Sequence, residues 1–193
     1  MDWILASASP RRKELFGEIV KSFEIIPAKG EENGGGEKDC SLLACKLATQ
    51  KAREIASLPV AKGKADLGAD TIVVLEGKVL GKPKDEADAV KMLTTLSGKT
   101  HAVYTGVCIS FPQGENRREK REVACTLVEF ETLSTEKIKA YVKTGSPMDK
   151  AGAYGIQDGG LVKAIHGSYS NVVGLPVELV KNMVKEIQNE INR

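Results

Sequence analysis

Four stretches of this chain bring together residue types that can do chemistry. The first is Ala6-Ser7-Ala8-Ser9-Pro10-Arg11-Arg12, where an apolar run from Trp3 meets a helix start. Ser9 suits an N-cap and Pro10 a first helical residue. Arg11 and Arg12 then fall in the first helical turn, where the helix dipole disfavours cations. Two arginines beside unpaired backbone N–H groups make sense when an anion binds between them, and phosphate is the natural anion. The competing reading is a surface helix whose arginines pair with acids elsewhere.

The second is Lys51, which shares a helical arc with Leu47, Ala44, Ile55 and Ala48 rather than the wet face. Either its stem packs and its ammonium snorkels to water, or a positive charge is aimed into a cleft. The third is Gly68-Ala69-Asp70-Thr71-Ile72-Val73-Val74-Leu75. Here a carboxylate opens an otherwise apolar strand, and burying it without a partner is costly. A two-residue turn at Glu76-Gly77 pairs Leu75 with Lys78. The same register places Thr71 opposite Lys82, with Asp70 on the diagonal. A carboxylate, a hydroxyl and an ammonium thus gather at one end of a hairpin, as a site or as a structural ion pair. The fourth runs from Pro147 to Gly160, and five of its fourteen residues are Gly or Pro. It reads as a shaped loop, with Gln157 near its exit able to donate and accept on a base edge.

The elements that must position these groups are legible. Helices are expected at 40–57, capped by Asp39 or Ser41, at 85–97 from Asp85, at 135–144 after Ser134, and from Pro176 onward. In the last, Val180, Met183, Val184, Ile187 and Ile191 form an apolar stripe. Strand signals lie at 2–6, 23–27, 67–75, 78–81, 101–112, 121–131 and 160–165. The two longest runs suit an antiparallel pair, with the charged run Glu115 to Arg121 as a solvated hairpin tip. Strands and helices alternate without a linker, so one α/β or α+β unit around a mixed sheet is expected over residues 1–193.

Composition narrows the class. The chain has 193 residues, 41% hydrophobic and 28% charged, with 28 Lys plus Arg against 26 Asp plus Glu. That excludes collagen-like, disordered and disulfide-scaffold chains. A near-neutral charge argues against a broad nucleic-acid or membrane footprint. No apolar run approaches the about 20 residues of a membrane helix, and MDWILAS is too short an apolar run for a signal peptide. Cys40, Cys45, Cys108 and Cys125 form no C-x-x-C pair, which argues against zinc, and they read as reduced. His101 and His166 are too few for a multi-histidine metal centre. Tyr104, Tyr141, Tyr154 and Tyr169 make no aromatic-basic array for single strands.

Six blocks now fall in order: Leu5-Ala6-Ser7-Ala8-Ser9-Pro10-Arg11-Arg12, Gly68-Ala69-Asp70-Thr71, Gly81-Lys82-Pro83, Leu96-Ser97-Gly98, Asp149 to Gln157 and Val173-Gly174-Leu175-Pro176. Together they resemble the Maf family of nucleoside triphosphate pyrophosphatases, and within it the branch acting on dTTP and UTP. The resemblance implies an α/β fold with a mixed, mostly antiparallel central sheet flanked by helices, similar to inosine triphosphate pyrophosphatases of the Maf/Ham1-like kind. It implies hydrolysis of a triphosphate to monophosphate and pyrophosphate with Mg²⁺ or Mn²⁺, by a cytoplasmic homodimer that clears unwanted nucleotides and needs no membrane or nucleic acid. It makes Asp70 the proton acceptor and links Arg11, Thr71 and Gln157 to substrate choice. Ser7, Arg12, Lys51 and Lys82 match polar positions of the phosphate cleft, and Glu32 an acidic position beside the metal. The chain departs from the pattern at the Gly-rich run after Glu32, which makes Glu31 an alternative, and at Asp158, where the family usually has glycine. Other readings are a purine-directed triphosphatase, a nucleotide-binding regulator of cell division, and an RNA-binding groove.

Overall fold

The computed structural model describes residues 1–31 and 33–192. Among the described residues seven strands form one sheet: β1 Trp3–Leu5, β2 Glu24–Ile25, β3 Ala65–Leu75, β4 Lys78–Leu80, β5 Thr100–Gln113, β6 Asn116–Phe130 and β7 Val162–His166. The order is β2-β1-β3-β5-β6-β7, with β4 also on β3. β1 is parallel to β2 and β3, and every other pairing is antiparallel. The expected mixed, mostly antiparallel α/β sheet is therefore what forms.

The helices are α1 Pro10–Gly17, α2 Cys40–Ala56, α3 Glu86–Leu96, α4 Thr135–Val142, α5 Tyr169–Val173 and α6 Val177–Ile191. Their starts follow the capping chemistry in the sequence. Ser9 Oγ accepts from the Arg12 N–H, Asp39 caps α2, Asp85 caps α3 and Ser134 caps α4.

Alternation along β3 divides the layers. Leu67 and Ala69 join Trp3, Phe16, Ile109 and Met183 in a core under α1 and α6. Val73 and Leu75 join Leu93, Phe130, Ile138 and Tyr154 in a second core under α3 and α4. Burying side chains of this size contributes about 1.5–3 kcal/mol each. The even-numbered face carries α2, which approaches the sheet closely enough to need glycine beneath it. A Cβ on Gly68 would lie 2.3 Å from the Ala48 carbonyl oxygen, and one on Gly106 2.2 Å from that of Ala44.

The edge of β3 changes partner part-way. β1 pairs with Ala65 to Leu67, and β4 with Val73 to Leu75. Among the described residues no strand pairs with Gly68 to Ile72 on that edge. The sheet has a slot there, and the Gly-Ala-Asp-Thr block lies along it.

One expectation is corrected. The charged run at 116–121 is not a hairpin tip but paired strand, with the ladder reaching Gln113 opposite Asn116. Its charges alternate onto two faces and find partners on both. Arg117 pairs with the buried Asp66 and Glu119 with Arg53 of α2, while Arg118 and Lys120 reach Glu190 and Glu186 of α6. Pairing at this density lets a polar run complete a strand.

Candidate active site

The slot in β3 opens into a cleft of about 750 Å³ lined by the 6–12 turn, α2, β3, the segment after β4, the 147–160 loop and the 172–174 turn. Asp70 stands in it with 6% of its surface exposed. Lys51 Nζ donates to Asp70 Oδ1 at 2.5 Å. Of the two readings of Lys51, the structure has the one with its charge aimed into a cleft: α2 rests on Gly68 and Gly106, which brings Lys51 to the strand that carries Asp70.

Arg12 leaves α1 and crosses the cleft floor. Its Nε donates to the Gly174 carbonyl at 2.8 Å, Nη2 to Thr71 Oγ1 at 3.0 Å and Nη1 to Ser7 Oγ at 3.5 Å. Ser7 Oγ also accepts from the Ser9 N–H, which fixes the turn ahead of the helix. Arg11 takes the other direction, and its Nη1 donates to Asp149 Oδ2 at 3.3 Å.

The 147–160 loop is three successive 3₁₀ turns, Ser146–Asp149, Ala151–Ala153 and Ile156–Asp158. The Gly152 N–H donates to the Gly81 carbonyl, tying the loop to the segment that presents Lys82. Tyr154 is held edge-on between His101 and Phe130, with its hydroxyl 2.8 Å from His101 Nε2. Asp158 closes the loop: its Oδ2 accepts from the Tyr141 and Ser146 hydroxyls at 2.5 and 2.6 Å. The Tyr141 oxygen accepts in turn from the Gly155 N–H. The residue that departs from the family pattern is therefore an anchor of the loop bearing Gln157.

Burial works to raise the Asp149 carboxyl, but a hydrogen bond from Lys150 and the charges of Lys150 and Arg11 hold it below its ordinary value. Burial pushes His101 down to about 4 and raises the Tyr154 hydroxyl. His101 is thus a neutral support of the loop near pH 7.

Lys82 and Gln157 are exposed and line the cleft. The predicted hairpin register holds, with Leu75 opposite Lys78, but the ladder stops at Val73 and Leu80, so Lys82 projects beyond the strand end. Glu32 lies outside the described residues, and Glu31 is exposed and does not line the cleft.

The sequence profile of the Maf-like protein family matches residues 2–187. The chain belongs to the Maf family. A curated relative in Thermococcus gammatolerans, named dTTP/UTP pyrophosphatase, is 46% identical over 180 residues, covering 92% of each chain. Another of that name in Agathobacter rectalis is 49% identical over 188 residues, covering 90% of this chain and 91% of its own. Among solved structures, the Staphylococcus aureus Ham1 protein aligns with a TM-score of 0.53 at 13% identity, covering 96% of this chain and 99% of that one. A HAM1 protein from Coxiella burnetii gives 0.54 at 15% identity with the same coverage. At that identity the two structures establish the fold alone.

Seven cleft residues of this Maf chain named from its sequence, Ser7, Arg11, Arg12, Lys51, Thr71, Lys82 and Gln157, share the cavity with Asp70. Reading the sequence missed Asp149 and Lys150 as an ion pair at the mouth, although both stand in the fourth stretch. It also missed Thr105 and Asn171, which reach the site only through long-range pairing. Among the described residues no three His, Cys, Asp or Glu side chains cluster as metal ligands. The described carboxylates of the cleft are Asp70 and Asp149. That donor set does not make an all-protein cage, but it fits a hard cation that keeps its waters and binds through one or two carboxylates and the substrate's phosphates.

Proposed function

We propose that this chain hydrolyses dTTP and UTP to the monophosphate and pyrophosphate. The observation that carries the reading is a carboxylate, Asp70, held by Lys51 in a cleft where Arg11, Arg12 and Lys82 also converge. The relatives named dTTP/UTP pyrophosphatase support the substrate class.

The cations balance the charge of a triphosphate laid along the slot, and they count for more where water is displaced. Asp70 accepts a proton from a water molecule attacking the α-phosphorus. The new bond joins that water's oxygen to the α-phosphorus as the bond from phosphorus to the bridging oxygen breaks, and the electron pair leaves with pyrophosphate. Lys51 orients the Asp70 carboxylate and shields its charge from the approaching phosphates. Asp70 and Asp149 are the described carboxylates that would hold a hydrated Mg²⁺ or Mn²⁺, which when bound would supply neutralising charge to the pyrophosphate leaving group. Gln157 hydrogen-bonds the pyrimidine edge, and a wrong base leaves buried polar groups unpaired. The four cysteines are free, which suits a reducing, cytoplasmic setting.

The test is pyrophosphate release from a panel of canonical and modified triphosphates with each metal. Many turnovers per chain with dTTP and UTP ahead of the purines is the expected result. A purine optimum would replace the substrate, and binding without turnover would replace the enzyme with a nucleotide-binding regulator. Arg11→Ala should weaken all triphosphates or blur base choice.

A further inference from the structure

Two threonine hydroxyls under the cleft have their protons assigned by their neighbours. Arg12 Nη2 donates to Thr71 Oγ1 at 3.0 Å, the Thr71 and Thr105 hydroxyl oxygens are 2.9 Å apart, and Thr105 Oγ1 lies 3.0 Å from the Asn171 carbonyl oxygen. A guanidinium only donates, a carbonyl only accepts, and each hydroxyl has one proton. All three contacts are made in only one way: Thr105 donates to Asn171, Thr71 donates to Thr105, and Thr71 accepts from Arg12. Reversing the middle bond leaves the Asn171 carbonyl without its hydroxyl donor.

The far end of this relay is fixed. The Asn171 side-chain amide donates to the Val103 carbonyl and to Thr126 Oγ1, both at 3.0 Å, so it is bound to β5 and β6 at once. Asn171 and Thr105 are both 0% exposed, and Thr105 does not border the cleft. The Asn171 side-chain oxygen has no hydrogen-bond partner among the described residues, but both threonine hydroxyls are bonded on each side, and a buried hydrogen-bonded chain of this kind holds its members in one arrangement.

We propose that Thr105 is a positioning residue for the reaction: it keeps the Thr71 hydroxyl an acceptor, so Thr71 orients the Arg12 guanidinium for the triphosphate instead of donating to the substrate itself. The inference rests on the function proposed above. Thr71 thereby influences substrate through Arg12, and a residue with no surface in the cleft takes part in binding.

The experiment compares the full-length wild type with Thr105→Val, Thr105→Ser, Arg12→Ala and the Arg12→Ala/Thr105→Val double variant. KM and kcat for dTTP are measured from pyrophosphate release. The Arg12 Nε–H signal of the ¹⁵N-labelled chain reports the orientation of that side chain without turnover. Losing one buried hydrogen bond predicts a rise in KM of about tenfold for Thr105→Val, with a smaller change in kcat. Serine should restore KM, and the Arg12 signal should exchange faster with solvent only in the valine variant. In the Arg12→Ala background the valine should add nothing, because the residue it acts through is gone.

An unchanged KM and Arg12 signal in Thr105→Val would overturn the inference, as would an equal KM penalty with and without Arg12. If the valine variant does not fold, Thr105→Cys keeps a small side chain with a weak donor and must shift both readings in the same direction. No shift there is the same refutation. A wild type that releases no pyrophosphate refutes the proposed function alone, since the Arg12 signal still decides the relay.

Discussion

Lys51 Nζ sits 2.5 Å from Asp70 Oδ1, and the two side chains come from elements that meet through a pair of glycines. The catalytic reading of Asp70 makes a direct prediction. Asp70→Asn should keep the fold and nucleotide binding while turnover falls by about 10²–10⁴. Pyrophosphate release and calorimetric titration with a non-hydrolysable dTTP analogue check the two halves separately. Near-normal hydrolysis would remove Asp70 from its role.

The close approach of α2 makes the second. Gly68→Ala places a methyl group against backbone, which cannot swing aside as a flexible side chain can. The helix must lift, at a cost of about 1–3 kcal/mol, and Lys51 moves with it. A lower melting temperature together with a large loss of activity is expected. Gly17→Ala, where a Cβ meets nothing within 4 Å, serves as the control and should leave both unchanged.

Asp158 carries the third. Asp158→Gly removes the acceptor shared by Tyr141 and Ser146 and frees the exit of the loop. KM for dTTP should rise several-fold and the preference over purine triphosphates should narrow, with the melting temperature little changed. Steady-state kinetics on the triphosphate panel measures this. Selectivity equal to wild type would show that Gln157 is placed without Asp158.

The fourth concerns pH. Burial lowers His101 from the ordinary 6.5 to about 4 in the folded chain. Between those values the unfolded chain binds the extra proton. This part of the stability is fully present above about pH 6.5 and is lost as pH falls toward 4, by up to about 3 kcal/mol. Urea unfolding from pH 7 to pH 4 should show the decline, and His101→Gln should flatten it. An identical slope in the variant would exclude His101 as the source.

Much of the site was legible because the chemistry lay in short runs. Ser9-Pro10 announced a helix start, and the two arginines after it contradicted the dipole unless an anion was expected. Asp70 stood out as one charge in an apolar strand, and the two-residue turn gave the Leu75–Lys78 pairing, but the expected continuation to Thr71 opposite Lys82 does not form because the ladder ends at Val73 and Leu80. The reach of β6 was not legible, because the rule that charged runs are solvated ignores partners such as Asp66, Glu186 and Glu190, far away in sequence. Thr105 and Asn171 were hidden for a related reason. Each is an ordinary polar residue locally and gains meaning only when β5 lies between β3 and β6 and α5 packs on β5 and β6.

The slot in β3 has a consequence for self-association. A stretch of strand edge without a neighbour is a template onto which another chain can add. Here that stretch runs only from Gly68 to Ile72 and is bounded at both ends by β1 and β4. It lies in a recess flanked by Arg12, Lys51 and Lys82, which a foreign strand would have to desolvate to reach. The recess that the proposed triphosphate would enter is thus also a barrier to a peptide, and the weak edge is guarded by the charged groups that line it.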